Sequence, residues 1–190
     1  ARLEALLAQG LDKNGHLRIP RCDVATLAAV APIAESDEPA WHDAVAIAAR
    51  MVDFKGLQKM PSPPGFTAKF RPYQKAGYEW LLFLDEYGFG GCLADDMGLG
   101  KTIQTIALLQ HLKNTGRPGP CLIVAPVTTL PNWQAELGRF APGLSVVRHH
   151  GNDRDRRTAA ILAPDVILTS YHTLQQDMEL FSEHEFEYLI

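Results

Sequence analysis

The sequence predicts an α/β fold, a parallel sheet covered by helices on both faces, preceded by a small, mostly helical segment. Three observations predict it. From about residue 69 onward, short apolar runs alternate with helical stretches. One of those runs, Cys121 to Ala125, is continuously apolar, as strands buried on both faces are, and Val166 to Thr169 reads as another strand. A third run, Gly91 to Ala94, leads through a glycine-rich turn into a helix.

The elements follow in order. Residues 1–60 are rich in Ala and Leu, with helical patterns over Leu3 to Leu7, Val24 to Val30 and Ala40 to Phe54. His16-Leu17-Arg18-Ile19 reads as a short strand between the first two. In the third helix Trp41, Val45, Ala48 and Val52 share a face, and Asp37 and Glu38 precede it. The segment reads as a helical module, the tail of a preceding domain. Pro61-Ser62-Pro63-Pro64-Gly65 is hostile to helix and marks residues 61–68 as a linker.

Residues 69–190 form the main lobe. A helix from Pro72 to Tyr87 places Tyr73, Ala76, Gly77, Trp80, Leu81 and Leu84 on one face, with Pro72 in its first turn. Gly91 to Ala94 is a short strand, and the next helix runs from about Gly100 to Lys113, stopped by Gly116. After the strand at Cys121 come a helix over Pro131 to Phe140, an extended stretch over Leu144 to Arg148 and a helix over Asp153 to Leu162. The strand at Val166, a helix over Thr173 to Phe181 and a strand beginning at Phe186 complete the chain.

Composition narrows the function. With 190 residues and 46% hydrophobic content, the chain can bury one sizeable core. It holds no apolar run long enough for a membrane and no charged-then-apolar leader, so a soluble segment is expected. Ala1 at the front implies a chain processed or cut from something longer. Cys22, Cys92 and Cys121 are odd in number and widely spaced, which speaks against a disulfide framework or a zinc site and for a reducing, intracellular compartment. Cys92 and Cys121 sit in apolar runs and read as buried free thiols. Net charge is −4, with seven Lys/Arg against eight Asp/Glu in residues 1–68 and eleven against fourteen beyond. A protein that wraps nucleic acid by bulk charge would be basic, so any polynucleotide contact is local.

The chemistry concentrates in residues 94–102, Ala-Asp-Asp-Met-Gly-Leu-Gly-Lys-Thr. A glycine-rich turn between a strand and a helix lets backbone N–H groups close around phosphate oxygens, and the helix start adds positive potential. Lys101 would reach the β- and γ-phosphates of ATP, and the Thr102 hydroxyl would ligate Mg²⁺. The strict pattern wants glycine at position 95, where this chain has Asp95, so the loop is a variant.

Phe70-Arg71-Pro72-Tyr73-Gln74, Gly77-x-x-Trp80-Leu81 and the run from Gly90 to Gln104 resemble the Swi/Snf family of helicase-like ATPases. Leu122-Ile123-Val124-Ala125-Pro126 with Asn132-Trp133-x-x-Glu136, and Asp165 to Tyr171, match that family's next two motifs in order. Phe186 to Ile190 resembles the strand that leads into its acidic box. The match covers about residues 69–190.

The resemblance implies a RecA-like P-loop lobe of an ATP-driven motor. It implies that Gln74, with Arg71 beside it, reads the adenine edge. The ATP-binding loop would run over Asp95, Asp96, Met97, Gly98, Leu99, Gly100, Lys101 and Thr102, with Asp95, Asp96 and Met97 shaping its entry and residues 98–102 holding the phosphates. Pro126, Thr128, Thr169, Ser170 and Tyr171 would touch the backbone of duplex DNA. The acidic box would fall just beyond Ile190, and a transition-state arginine would come from a second lobe, so residues 1–190 alone would bind ATP and turn it over negligibly. The expected activity is ATP hydrolysis driving movement along duplex DNA and displacement or remodelling of bound proteins. A strand-separating helicase or a non-catalytic nucleotide-binding module remain alternatives.

Two clusters sit outside this scheme. Arg148, His149, His150, Arg154, Arg156 and Arg157, interrupted by Asp153 and Asp155, read as a solvated face more than a DNA contact. His149, His150 and His172 lack the spacing of a closed metal site. The expected location is cytoplasmic, associated with the nucleoid in a bacterium or nuclear in a eukaryote.

Overall fold

The computed structural model describes residues 24–32, 37, 39–52, 54–117 and 119–190. The expected helix over Leu3 to Leu7, the strand over His16 to Ile19 and Cys22 lie outside them. The chain forms two compact units, one drawn from Ala1–Leu57 with Glu86–Phe89, the other from Gln58–Asp85 with Gly90–Ile190.

In the first unit, helices α1 (Val24–Val30) and α2 (Pro39–Val52) pack through Leu27, Ala44 and Ala48, with Ala28 and Trp41 at the margin. Alanines set the closest approach, so the buried stripe of α2 passes through Ala44 rather than Val45.

The second unit carries α3 (Pro72–Glu86, all but its last residue), α4 (Lys101–Asn114), β1 (Cys121–Val124), a 3-10 turn (Val127–Thr129), α5 (Leu130–Phe140) and β2 (Val146–His149). It continues through α6 (Thr158–Leu162), β3 (Val166–Thr169), α7 (Tyr171–Gln176), α8 (Met178–Ser182) and β4 (Tyr188–Leu189). The strands lie in the order β2-β3-β1-β4, every pairing parallel.

Successive strand residues point to opposite faces, which is why these strands are apolar throughout. Cys121, Ile123, Val166 and Leu168 meet Ile106, Leu109 and Leu112 of α4 and Leu130 and Leu137 of α5. Leu122 and Ile167 point the other way, against Ile161 and Phe181. Each such side chain contributes about 1.5–3 kcal/mol by leaving water. Burial also pushes the Cys121 thiol up to about 12, with the Glu187 carboxylate adding to the effect.

Five expectations need correction. Residues 91–94 form no strand: β1 is flanked by β3 and β4, and no described strand runs beside 91–94 to complete a ladder. Cys92 there is exposed, not buried. The helix expected over Asp153 to Leu162 exists only as α6, because Asp155 accepts the Arg157 N–H at 3.0 Å and holds a turn. The helix expected over Thr173 to Phe181 is two short helices that meet at Asp177, whose backbone leaves helical geometry at φ −110° and ψ 29°. On α3 the buried positions are Gln74, Tyr78, Glu79 and Leu84, while Tyr73 and Ala76 face outward. Gly77 explains the rotation: a Cβ there would stand 1.9 Å from Gln104 Oε1, so α3 presses its glycine side against α4.

Residues 61–68, expected as a linker, lie as a strap on the second unit. Just before them, the Met60 N–H donates to Glu79 Oε1 at 3.1 Å. Asn114 Nδ2 donates to the Pro64 carbonyl at 2.8 Å, and the Thr67 N–H to the Phe140 carbonyl at 2.9 Å. Phe66 stacks on Phe70 at 5.0 Å between centroids, and Phe70 on Tyr78 at 5.4 Å. Prolines suit such a strap, having little freedom to lose and no N–H to satisfy.

Candidate functional site

In a parallel sheet all strands end on one edge, where open α/β folds place their ligands. Register makes the edge even here: Val124 of β1 and His149 of β2 both align with Thr169 of β3. Ala125, Ser170 and His150 therefore follow one another across it, with Pro126 one residue further on.

The glycine loop reaches the same edge. Gly98 and Gly100 take the left-handed backbone, at φ 84° and 83°, which lets the chain reverse twice within five residues before α4. The loop closes on its own lysine: Lys101 Nζ donates to the carbonyls of Asp95 at 2.6 Å and Asp96 at 3.0 Å. An ammonium bound only to neutral carbonyls can exchange them for a phosphate oxygen and gain a charge-assisted bond. Met97 stands at the tip, 96% exposed. Asp95 is exposed, and its carboxylate accepts from Gln104 Nε2 at 3.4 Å.

Gln74 is buried, with both ends of its amide engaged. Nε2 donates to the Leu99 carbonyl at 3.0 Å, and Oε1 accepts the Arg71 N–H at 3.0 Å. A Cβ on Gly100 would approach Gln74 Nε2 to 2.4 Å, so glycine is required there for space as well as for backbone. Arg71 itself is exposed. Thr102 lines a cavity of about 350 Å³ together with Val124, Ala125, Pro126, Thr129, Asn132, Trp133 and Glu136.

The remaining sequence candidates divide. Pro126, Thr128 and Tyr171 are exposed at the edge, Tyr171 by 63%. Thr169 and Ser170 are buried and spend their hydroxyls internally. Thr169 Oγ1 donates to the His149 carbonyl at 2.9 Å, and Ser170 Oγ accepts the Thr173 N–H at 3.3 Å as the cap of α7.

Sequence reasoning missed Asp177. Its buried carboxylate meets His149 Nε2 at 2.8 Å, Arg154 Nε at 2.5 Å and Arg156 Nε at 3.1 Å. The hydrogen bonds from Arg154 hold the carboxyl well below its usual range, against the opposing effect of burial. Most of the basic cluster is thereby consumed, since Arg157 pairs with Asp155. The only signal was an aspartate inside an otherwise helical, partly apolar stretch.

A second hub pins the far edge. Asp165 Oδ2 accepts from Lys113 Nζ at 2.8 Å and from the Ser145 N–H at 2.7 Å. Burial alone would raise its carboxyl, yet these donors hold it below the usual value.

Comparison with known proteins adds to this geometry. The family profile described as SNF2-related domain matches residues 73–190. A putative ATP-dependent helicase/translocase, YwqA of Bacillus subtilis (strain 168), is 54% identical over 123 residues, covering 63% of this chain and 13% of that protein. The chromatin-remodeling ATPase INO80 of Homo sapiens is 39% identical over 145 residues, covering 70% of this chain and 9% of that one. Among solved structures, the Sulfolobus solfataricus SWI2/SNF2 ATPase core in complex with dsDNA superposes with a TM-score of 0.64 at 40% identity. That match covers 70% of this chain and 27% of the other. The chain thus spans a small fraction of the length of the curated relatives it matches.

Proposed function

The chain belongs to the SNF2-related domain family, and on that premise we propose that it is the ATP-binding lobe of a DNA-dependent ATPase that moves on duplex DNA and remodels or displaces bound proteins. The observation that carries the reading is the glycine loop, closed around Lys101 at the end of a parallel sheet and braced by Gln74. The loop fits a triphosphate: its two left-handed glycines leave backbone room, and its lysine is held only by exchangeable carbonyls.

In this reading residues 98–102 hold the phosphates, with Lys101 supplying positive charge to the γ-phosphate, and Asp95, Asp96 and Met97 shape the loop's entry. Gln74 and Arg71 serve the adenine side, and the Thr102 hydroxyl would hold Mg²⁺. The ion would neutralise charge on the phosphate oxygens. Duplex contact is assigned to Pro126, Thr128 and Tyr171, whose exposure at the strand ends suits phosphate contacts that ignore base sequence. Thr169 and Ser170 serve by shaping that edge from beneath.

The test uses the whole protein that contains this chain. ATP hydrolysis is measured with and without duplex DNA, alongside strand separation, in wild type and Lys101→Ala. Duplex stimulation without strand separation, lost in the variant, is expected. Strand separation would favour the helicase alternative, and absence of any turnover the non-catalytic one. Residues 1–190 alone should bind ATP weakly and turn it over negligibly, because the acidic box and arginine that the reading requires are assigned outside them.

A further inference from the structure

The 3-10 turn Val127–Thr129 runs into α5 without a break. Thr128 lies in that turn, and Asn132 and Glu136, four residues apart, share one face of α5 just beyond it. Thr128 is exposed at the strand ends, while Asn132 and Glu136 line the cavity of about 350 Å³ that Thr102 also lines.

Val124, Ala125 and Trp133 give the cavity an apolar lining, and its polar side chains are Thr102, Thr129, Asn132 and Glu136. Thr129 is already committed, donating to the Pro126 carbonyl at 2.8 Å. Two side chains on α5 therefore remain to order water toward Thr102: an amide that both donates and accepts, and a carboxylate that only accepts. The helix that carries them is stiffly seated, with Leu130 and Leu137 at 1% and 0% exposure in the core. A displacement of the turn is thus passed along α5 instead of dissipating in a loop.

We infer that Asn132 and Glu136 are positioning residues that link duplex contact at the Thr128 turn to the Thr102 side of the nucleotide site, through water ordered in the cavity they share. The inference rests on the proposed function and assigns these two side chains to coupling, apart from binding either ligand.

The whole protein again serves as the test, with Asn132→Ala, Glu136→Gln and, as control, Gln134→Ala, an exposed residue of the same helix that does not line the cavity. Three quantities are read: duplex-stimulated kcat, dissociation constant for a non-hydrolysable ATP analogue, and dissociation constant for duplex DNA. Stimulated kcat is expected to fall about tenfold in Asn132→Ala and Glu136→Gln, with both dissociation constants within about twofold of wild type. The Gln134→Ala protein should match wild type throughout. Stimulated kcat within about twofold of wild type would overturn the inference, as would a loss of ATP or DNA affinity equal to the loss in rate, or an equal loss in the control. A wild type that shows no duplex stimulation overturns the proposed function itself, before any variant is made.

Discussion

The Gln74 side-chain N–H donates to the Leu99 carbonyl at 3.0 Å and so joins the first turn of α3 to the glycine loop. Replacement by glutamate keeps the size but puts an acceptor against that carbonyl. Gln74→Glu should weaken ATP-analogue binding about fivefold, the equivalent of one hydrogen bond of about 1 kcal/mol. Titration of the analogue checks this, and unchanged affinity would detach Gln74 from the site.

Gly77 allows α3 and α4 to touch. A Cβ at that position would lie 1.9 Å from Gln104 Oε1, and Gln104 is only 1% exposed. Gly77→Ala should destabilise the protein by about 1–3 kcal/mol through overpacking, despite alanine's better helix propensity. Denaturant midpoints measure it, and a more stable variant would refute the close approach.

Asp177 gives a pH-dependent prediction. Its folded-state pKa is lowered, chiefly by hydrogen bonds from Arg154. Its stabilisation is therefore fully present above the unfolded value of about 4 and is lost as pH falls below that toward the folded value. Asp177→Asn should cost about 3–5 kcal/mol at pH 7 by leaving buried charge unpaired. The variant should also lose less further stability than wild type as pH falls below about 4. Parallel stability curves for the two proteins would count against the hub.

The strap predicts where the second unit begins. A chain starting at residue 69 gives up the bonds made by Met60, Pro64 and Thr67 and the packing of Phe66. It should be about 3–6 kcal/mol less stable than one starting at residue 58, at about 1 kcal/mol per bond plus the aromatic burial. Equal melting temperatures for the two fragments would restore the linker interpretation.

These cases show what local sequence can and cannot reveal. Cys121 to Ala125 was legible because a strand buried on both faces needs an unbroken apolar run, and the glycine loop because its backbone demands are local. Gly91 to Ala94 has similar composition, yet a strand also needs a neighbour, which composition does not supply. Proline at 61, 63 and 64 excludes helix without saying whether the chain hangs free or lies strapped to a surface. Asp177 was hidden for another reason. Its partners His149 and Arg154 lie more than twenty residues away, and charge pairing at that range leaves no periodic trace.

The sheet order has a consequence for salt. Adjacent strands stand about 4.8 Å apart, so the edge from Ala125 through Ser170 to His150 spans roughly 10 Å. One strand of a duplex presents a phosphate about every 3.4 Å along its axis, so on the proposed reading this edge covers about three phosphates. Such a footprint releases few counterions. Because the assigned contacts Pro126, Thr128 and Tyr171 include no lysine or arginine, the logarithm of this lobe's affinity for duplex DNA should fall with the logarithm of salt concentration at a slope shallower than about −2. For a chain of net charge −4, the grip on DNA would then come from placement along one row of strand ends, with little drawn from overall attraction.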